Sequence, residues 1–278
     1  MPNIKIIKRF VKIFKQIHKK KSCRNIRGIL AYHGVTQRKE ENCVEIGKFI
    51  SHLNYLGGNF RILKLSELLD KVKLGEKDWG NYVAITFDDA YENFYLNAYP
   101  ELIKRSIPAT IFVPAGRVGG FNSWDYIDRG NFSRLNIMNY DELKRLDRKL
   151  IEIGSHSFTH RKLVYLTKEE LEEEISGSKT ILETELGMKI DKFAYPYGEL
   201  FHFDDRAVKS LMAAGFLYAF TTHFGRNINM ADSYRINRIV IWDDDDIYDI
   251  RDKLSGYYDW MAEKERIAYS VRRMLKIK

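Results

Sequence analysis

Tyr82-Val83-Ala84-Ile85-Thr86-Phe87-Asp88-Asp89-Ala90 decides how the chain is read. Tyr82 to Thr86 are apolar, aromatic or β-branched, the composition of a strand buried on both faces of a parallel sheet. Two adjacent carboxylates end it. In α/β folds, chemistry gathers where strand C-termini meet loops. Neighbouring aspartates there repel one another and lose solvation, so a cationic partner is expected. An N-cap for the following Asn/Tyr-rich helix would account for one of them, but not for both.

Outward from this stretch, strand and helix patterns alternate. Upstream, Gly28-Ile29-Leu30-Ala31-Tyr32-His33-Gly34-Val35 reads as the first core strand, carrying His33 near its end. Residues 46–57 have helical spacing and stop at Gly57-Gly58, Arg61 to Leu65 is a short strand, and Ser66 is placed to cap the next helix. Downstream, a helix over 91–105 ends before Pro108, and Ala109 to Val113 is another buried strand. The irregular stretch 116–136, with Trp124 and Asp125, reads as a substrate-side loop. A helix from Asn139 to Leu150 and a strand from Ile151 lead into Ser155-His156, and Thr167 with Glu170 forms a capping box for a long helix to about Leu186. Strands at 193–198, 217–222 and 236–242 follow, with a helix over 207–214 and a last one over 247–260. The acidic run Asp243 to Asp246 reads as a solvated helix start. One α/β domain with a mostly parallel sheet follows, open or closed as a barrel. There is no P-loop, no GxGxxG after a strand and no GxSxG elbow.

Charge divides the chain. Of 46 basic residues in 278, ten lie in residues 1–27, which hold no acid; the remainder carries 36 basic against 38 acidic residues. A near-neutral body does not support a nucleic-acid groove. Ile4, Ile7, Val11, Phe14 and Ile17 recur at helical spacing among lysines and arginines, so residues 1–27 read as a basic amphipathic helix whose cationic face, over 4–21, suits an anionic membrane surface. The competing reading is a helix packed on the body. The segment has neither a secretory apolar run nor a membrane span, and two cysteines, Cys23 and Cys43, make no disulfide framework. The expected location is therefore cytoplasmic, peripheral on the inner membrane face. The division is 1–27 arm, 28–260 catalytic domain, 261–278 basic tail.

His156-Ser157-Phe158-Thr159-His160 places two imidazoles four residues apart at a second strand end, a bidentate metal spacing when both rings reach one face of a helical turn. The Asp88-Asp89 pair supplies what a hydrolytic metal site then lacks: one carboxylate as third ligand, the other as base. Two imidazoles and a carboxylate suit zinc, with iron, cobalt or nickel also able to bind.

With these residues in view, the sequence resembles the polysaccharide deacetylase (NodB homology) family over roughly residues 28–255. Thr86-Phe87-Asp88-Asp89 and His156-Ser157-Phe158-Thr159-His160 carry the resemblance, and Tyr195-Pro196-Tyr197-Gly198 looks like the family's Pro-Tyr-Gly turn. The resemblance implies a distorted (β/α) barrel, Asp88 as base, and Asp89, His156 and His160 as ligands of a divalent metal. It also implies that the backbone N–H of Tyr197 is an oxyanion donor. The substrate class it implies is an N-acetylated amino sugar in a glycan or its precursor. The sequence departs from the family at three points. Ala90 replaces a glycine. Ala194 stands where many members carry an arginine that orients the base, leaving Arg235 and Arg238 as candidates. The C-terminal Leu-x-His that supplies the general acid is missing, with His223 its nearest remnant. Ala31-Tyr32-His33 resembles the N-terminal Tyr-His of the permuted branch that includes poly-N-acetylglucosamine deacetylases, which points to His33 as the acid. Two rivals use the same barrel: a catalytically silent glycan-binding module, and a deformylase or deacetylase of a lipid-linked amino sugar.

Overall fold

The computed structural model describes residues 7–9, 11, 25–75, 80–125, 134–226, 228 and 230–274. Seven parallel strands close on themselves: β1 (Arg27–Tyr32), β5 (Tyr82–Phe87), β6 (Ala109–Val113), β7 (Ile151–Ser155), β8 (Lys192–Ala194), β9 (Tyr218–Phe224) and β10 (Ile236–Val240). Closure comes from β1, which pairs with β5 on one side and β10 on the other. The short β4 (Arg61–Ile62) adds to the outside of β5, and β2 (Gly34–Thr36) and β3 (Cys43–Glu45) form a separate pair. The expected distorted barrel is thus the observed architecture.

Alternation along the strands explains why these sequences look apolar throughout. Leu30, Val83, Ile85, Ile111 and Ile153 belong to a core shared with the helices, whereas Ile29, Ala84, Phe112, Ala194, Phe220 and Ile236 belong to a second cluster filling the barrel. Leu65, Leu68 and Leu69 of the helix Leu65–Lys73 join that inner cluster together with Tyr82, the first residue of β5, and so plug the barrel where its strands begin. The opposite, C-terminal end of the strands is left for chemistry.

Several expected boundaries move for local reasons. Gly57 and Gly58 lie inside the helix Ile46–Asn59, which ends where Phe60 turns extended and buries its ring. Ser66 does not cap its helix; the cap position is Lys64, and the Ser66 N–H reaches the Glu152 carboxylate at 3.2 Å. The helix begun at Asn139 stops at Arg145, and the last strand pairing of 61–65 covers Arg61 and Ile62 only. The Thr167–Glu170 capping box is present, and its helix runs to Leu186 with a π-helical turn at Glu173–Gly177. Asp246 caps the helix Ile247–Leu254, but its neighbour Asp245 is fully buried, not solvated. The segment read as a tail from 261 is helical within Asp259–Met274.

Most of the basic arm lies outside the described residues. Of those described, Ile7 and Val11 are buried in the main core, and Lys8 pairs with Asp244, Asp245 and Asp249 at 3.0, 3.1 and 2.8 Å. That part of the stripe packs on the body.

Candidate active site

Each motif residue sits at the C-terminal end of a barrel strand or just beyond it. Asp88 and Asp89 follow β5, His156 to His160 follow β7, Tyr197 follows β8, and His33 follows β1. Asp88, Asp89, His156, His160, Tyr197 and His33 line one cleft, with Trp124 and Asp125 of the irregular loop and Trp242 beyond β10. His223 is not among the lining residues; its Nδ1 lies 2.6 Å from the Glu265 carboxylate.

The departure at Ala194 is answered by Arg238. Its guanidinium is fully buried in the barrel and grips Asp88 with two parallel bonds, Nη1 to Oδ1 and Nη2 to Oδ2, each 2.7 Å. Nη1 also donates to Thr86 Oγ1 at 3.1 Å and Nε to the Thr221 carbonyl at 3.0 Å. A bidentate pair of this kind fixes orientation as well as charge. Burial pushes the Asp88 pKa up, but Arg238 and the nearby His156 and His33 outweigh it and hold the carboxyl below its usual value. Arg235, the other candidate, points elsewhere and pairs with Asp232 and Asp205.

Asp89 Oδ1 lies 3.4 Å from His156 Nε2 and 3.2 Å from His160 Nε2, and it is buried without a hydrogen-bond partner. His156 Nδ1 donates to the Ala194 carbonyl at 2.8 Å, which leaves a lone pair on Nε2 of the neutral ring facing the carboxylate. Lone pairs converging on a buried carboxylate require a cation between them, either a proton or a metal ion. Desolvation opposes a charge on His156, yet the two aspartates raise its pKa above the ordinary value. His160 is shifted the other way, by burial first and then by His156 and His33. The three donors lie within 4.8 Å of one another, and their N, N, O set fits a divalent ion of the zinc type. Tyr91 is buried beside them, and burial together with the nearby Asp89 carboxylate pushes its phenol pKa well above the ordinary value.

The His-x3-His spacing works through a loop and not through the helical turn expected of it. Ser157 and His160 both take left-handed backbone, φ +64° and +67°, and the His160 N–H returns to Ser157 Oγ at 3.0 Å. Glu174, 3 % exposed on the π-helical turn, clamps this loop: Oε2 accepts the Phe158 and Thr159 N–H groups at 3.0 and 2.8 Å, and Oε1 accepts the Thr159 hydroxyl. Trp124 stacks on the His160 ring at 4.2 Å. Sequence reasoning missed Glu174 and Tyr91; the visible signal for Glu174 was a carboxylate on the same helix face as Leu171, Ser178 and Leu182.

Asp89, Ala90 and Tyr197 are left-handed as well, at φ +69°, +51° and +61°. Such residues cost about 1–3 kcal/mol each and persist where surroundings over-determine them, typically at active sites. At Ala90 the methyl carries strain that the family's glycine would avoid. Gly198, φ +66°, has no such latitude, because a Cβ there would meet the Thr222 nitrogen at 2.7 Å.

Known proteins share this fold. The family model for polysaccharide deacetylase matches residues 76–219. The poly-β-1,6-N-acetyl-D-glucosamine N-deacetylase of Staphylococcus aureus is 27 % identical over 237 residues, 82 % of this chain and 77 % of that protein. In fold, the chain is similar to the Streptococcus pyogenes deacetylase PplD solved with acetate (TM-score 0.68, 20 % identity, 82 % of this chain and 98 % of that one). It is equally similar to IcaB from Ammonifex degensii (TM-score 0.67, 23 % identity, 84 % and 96 %). The Asp-Asp strand and the His-x3-His loop both fall inside the matched span, whereas β1 and β10, which bring His33 and Arg238, lie outside it; with barrel, motifs and matched span in agreement, the chain belongs to the polysaccharide deacetylase family.

Proposed function

We propose that the protein is a metal-dependent N-deacetylase of an N-acetylated amino sugar within a glycan or glycan precursor. The observation that carries this reading is a buried Asp88, gripped by the Arg238 guanidinium, beside three inward-facing donors that need a cation. Asp89, His156 and His160 would hold the ion, most suitably zinc, which would supply Lewis acidity toward the acetamide carbonyl. Asp88 takes a proton from the attacking water as its oxygen bonds to the carbonyl carbon. The Tyr197 N–H donates to the oxygen on which charge develops. His33 protonates the nitrogen as the C–N bond breaks, releasing acetate and a free amine. The name of the Staphylococcus relative supports β-1,6-linked N-acetylglucosamine as the first substrate to offer.

Acetate release from such oligomers, with and without a chelator, tests the reading. Release that is lost on chelation and restored by Zn2+ is expected. A chain that binds the oligomers and releases nothing is the silent glycan-binding barrel, and release only from lipid-linked acetamido sugars would move the substrate to a membrane precursor.

Seating of the basic arm on an anionic, cytoplasmic membrane face is supported by its ten cations. Against it, Ile7 and Val11 are already buried in protein and Lys8 is paired. Among the described residues, no helix is long and apolar enough to cross a membrane.

A further inference from the structure

Among the described arm residues, Lys8 reaches into the body's polar interior. Its ammonium answers three carboxylates, and the middle one, Asp245, has no exposed surface. Asp245 divides its bonds. Its Oδ2 accepts the Trp242 N–H at 2.8 Å and pairs with the fully buried Lys253, while Oδ1 faces Lys8. Lys253 in turn donates to the Val240 carbonyl at 2.8 Å, and its Nζ sits 3.7 Å from the centroid of the Trp242 ring. Val240 and Trp242 both line the catalytic cleft. The Asp245 carbonyl meets His52 Nε2 at 3.1 Å, and His52 Nδ1 meets the Tyr32 hydroxyl at 3.3 Å, one residue before His33. A single buried network therefore runs from the arm to two walls of the cleft.

We propose that Lys8 is a positioning residue: by neutralising Asp244, Asp245 and Asp249 it keeps Lys253 seated over Trp242 and so sets the cleft wall against which the sugar binds. Without Lys8, Asp245 Oδ1 faces no cation, and three carboxylates compete for Lys253. Buried polar networks of this kind act as a unit, so loosening one end displaces the other. The arm is then a component of substrate binding, which sequence alone assigned to membrane attachment. Lys8 touches no reacting atom, and the chemistry at Asp88 stays as described.

The test uses full-length Lys8→Gln and Lys8→Arg. Its kinetic arm rests on the deacetylase reading; its fluorescence arm does not. On β-1,6-linked N-acetylglucosamine oligomers, Lys8→Gln should raise KM about three- to thirtyfold, the range of coupling through a contact network. Its kcat and bound-metal stoichiometry should be unchanged, and Lys8→Arg should restore KM. Tryptophan emission should shift in Lys8→Gln, and that shift should vanish when Trp242→Phe is added to both proteins. Unchanged KM and emission in a folded Lys8→Gln overturn the proposal, as does a joint fall of kcat, metal content and melting temperature that Lys8→Arg fails to correct. If Lys8→Gln does not fold, Asp244→Asn, which removes one half-buried partner of Lys8, must shift the Trp242 emission in the same direction; no shift overturns the proposal. If the oligomers release no acetate at all, they fall as the substrate while the Trp242-dependent emission change still decides the role of Lys8.

Discussion

A carboxylate that is 2 % exposed stays ionised only when its charge is answered at close range, and Asp88 is answered by both terminal nitrogens of one guanidinium. Replacing Arg238 by Met removes that answer while keeping much of the volume. The expected loss is about 3–5 kcal/mol, the cost of leaving a buried charge unpaired, measured by urea melts of the purified variant. A loss under about 1 kcal/mol would mean that another cation moves in. The two aspartates are separable because their partners differ. Asp88→Asn should keep stoichiometric metal and lose most acetate release, whereas Asp89→Asn should lose metal affinity itself, read by titration with Zn2+. Near wild-type turnover in Asp88→Asn would remove it from the role of base. His33→Ala should slow turnover about a hundredfold or more with metal unchanged, and His223→Ala, whose ring is engaged by Glu265 at the cleft rim and does not itself line the cleft, should be mild.

Strand pattern, more than any single residue, decided what could be read from sequence. The apolar runs and the carboxylates and histidines at their ends announced a parallel sheet with its chemistry at one end. The choice between Arg235 and Arg238 was also latent there: Arg238 shares parity with Ile236, whose side chain fills the barrel, while Arg235 falls on the other parity. That alternation becomes decisive only once the strand is known to be closed against β1. Loop conformation was not legible, because left-handed backbone at Ser157, His160 and Tyr197 is imposed by tertiary bonds that no local signal encodes. Glu174 belongs to this category, and its effect can be measured. Glu174→Ala frees two N–H groups and a hydroxyl of the His156–His160 loop and should weaken Zn2+ binding about 10–100-fold, as loss of an outer-shell partner does. Glu174→Gln, which can still accept both N–H groups, should recover most of it. Equal affinities in the Ala and wild-type proteins would show that the loop holds its shape unaided.

For the whole molecule, two imidazoles outside the ligand triad, His52 and His202, weaken the fold in acid. Burial lowers the pKa of His52 to about 4 from an ordinary 6.5. The folded protein thus binds fewer protons than the unfolded chain between those values, and stability falls as pH drops through that window, by about 1.4 kcal/mol per pH unit for one such group. His202, likewise lowered to about 4 by burial, adds to the slope. Urea midpoints measured from pH 7 to pH 4 should decline, and the decline should be shallower in His52→Gln; an identical slope would show that His52 is protonated in place. The basic arm is tested by flotation on anionic vesicles at low salt, where full-length protein should rise and a version lacking residues 1–22 should not. Barrel closure has a further consequence, in time. The three candidate ligands lie within residues 89–160 and leave the ribosome together, whereas Arg238 is 150 positions after the aspartate it holds. A nascent chain that has emerged through β9 already carries the ligand triad, but beside it stands a carboxylate with no counter-charge and a first strand with one unsatisfied edge. Emergence of β10 supplies both at once, so the one strand in seven that completes the wall also pairs the proposed base, and a message truncated before it should yield a chain with the candidate ligand triad but no tether on Asp88.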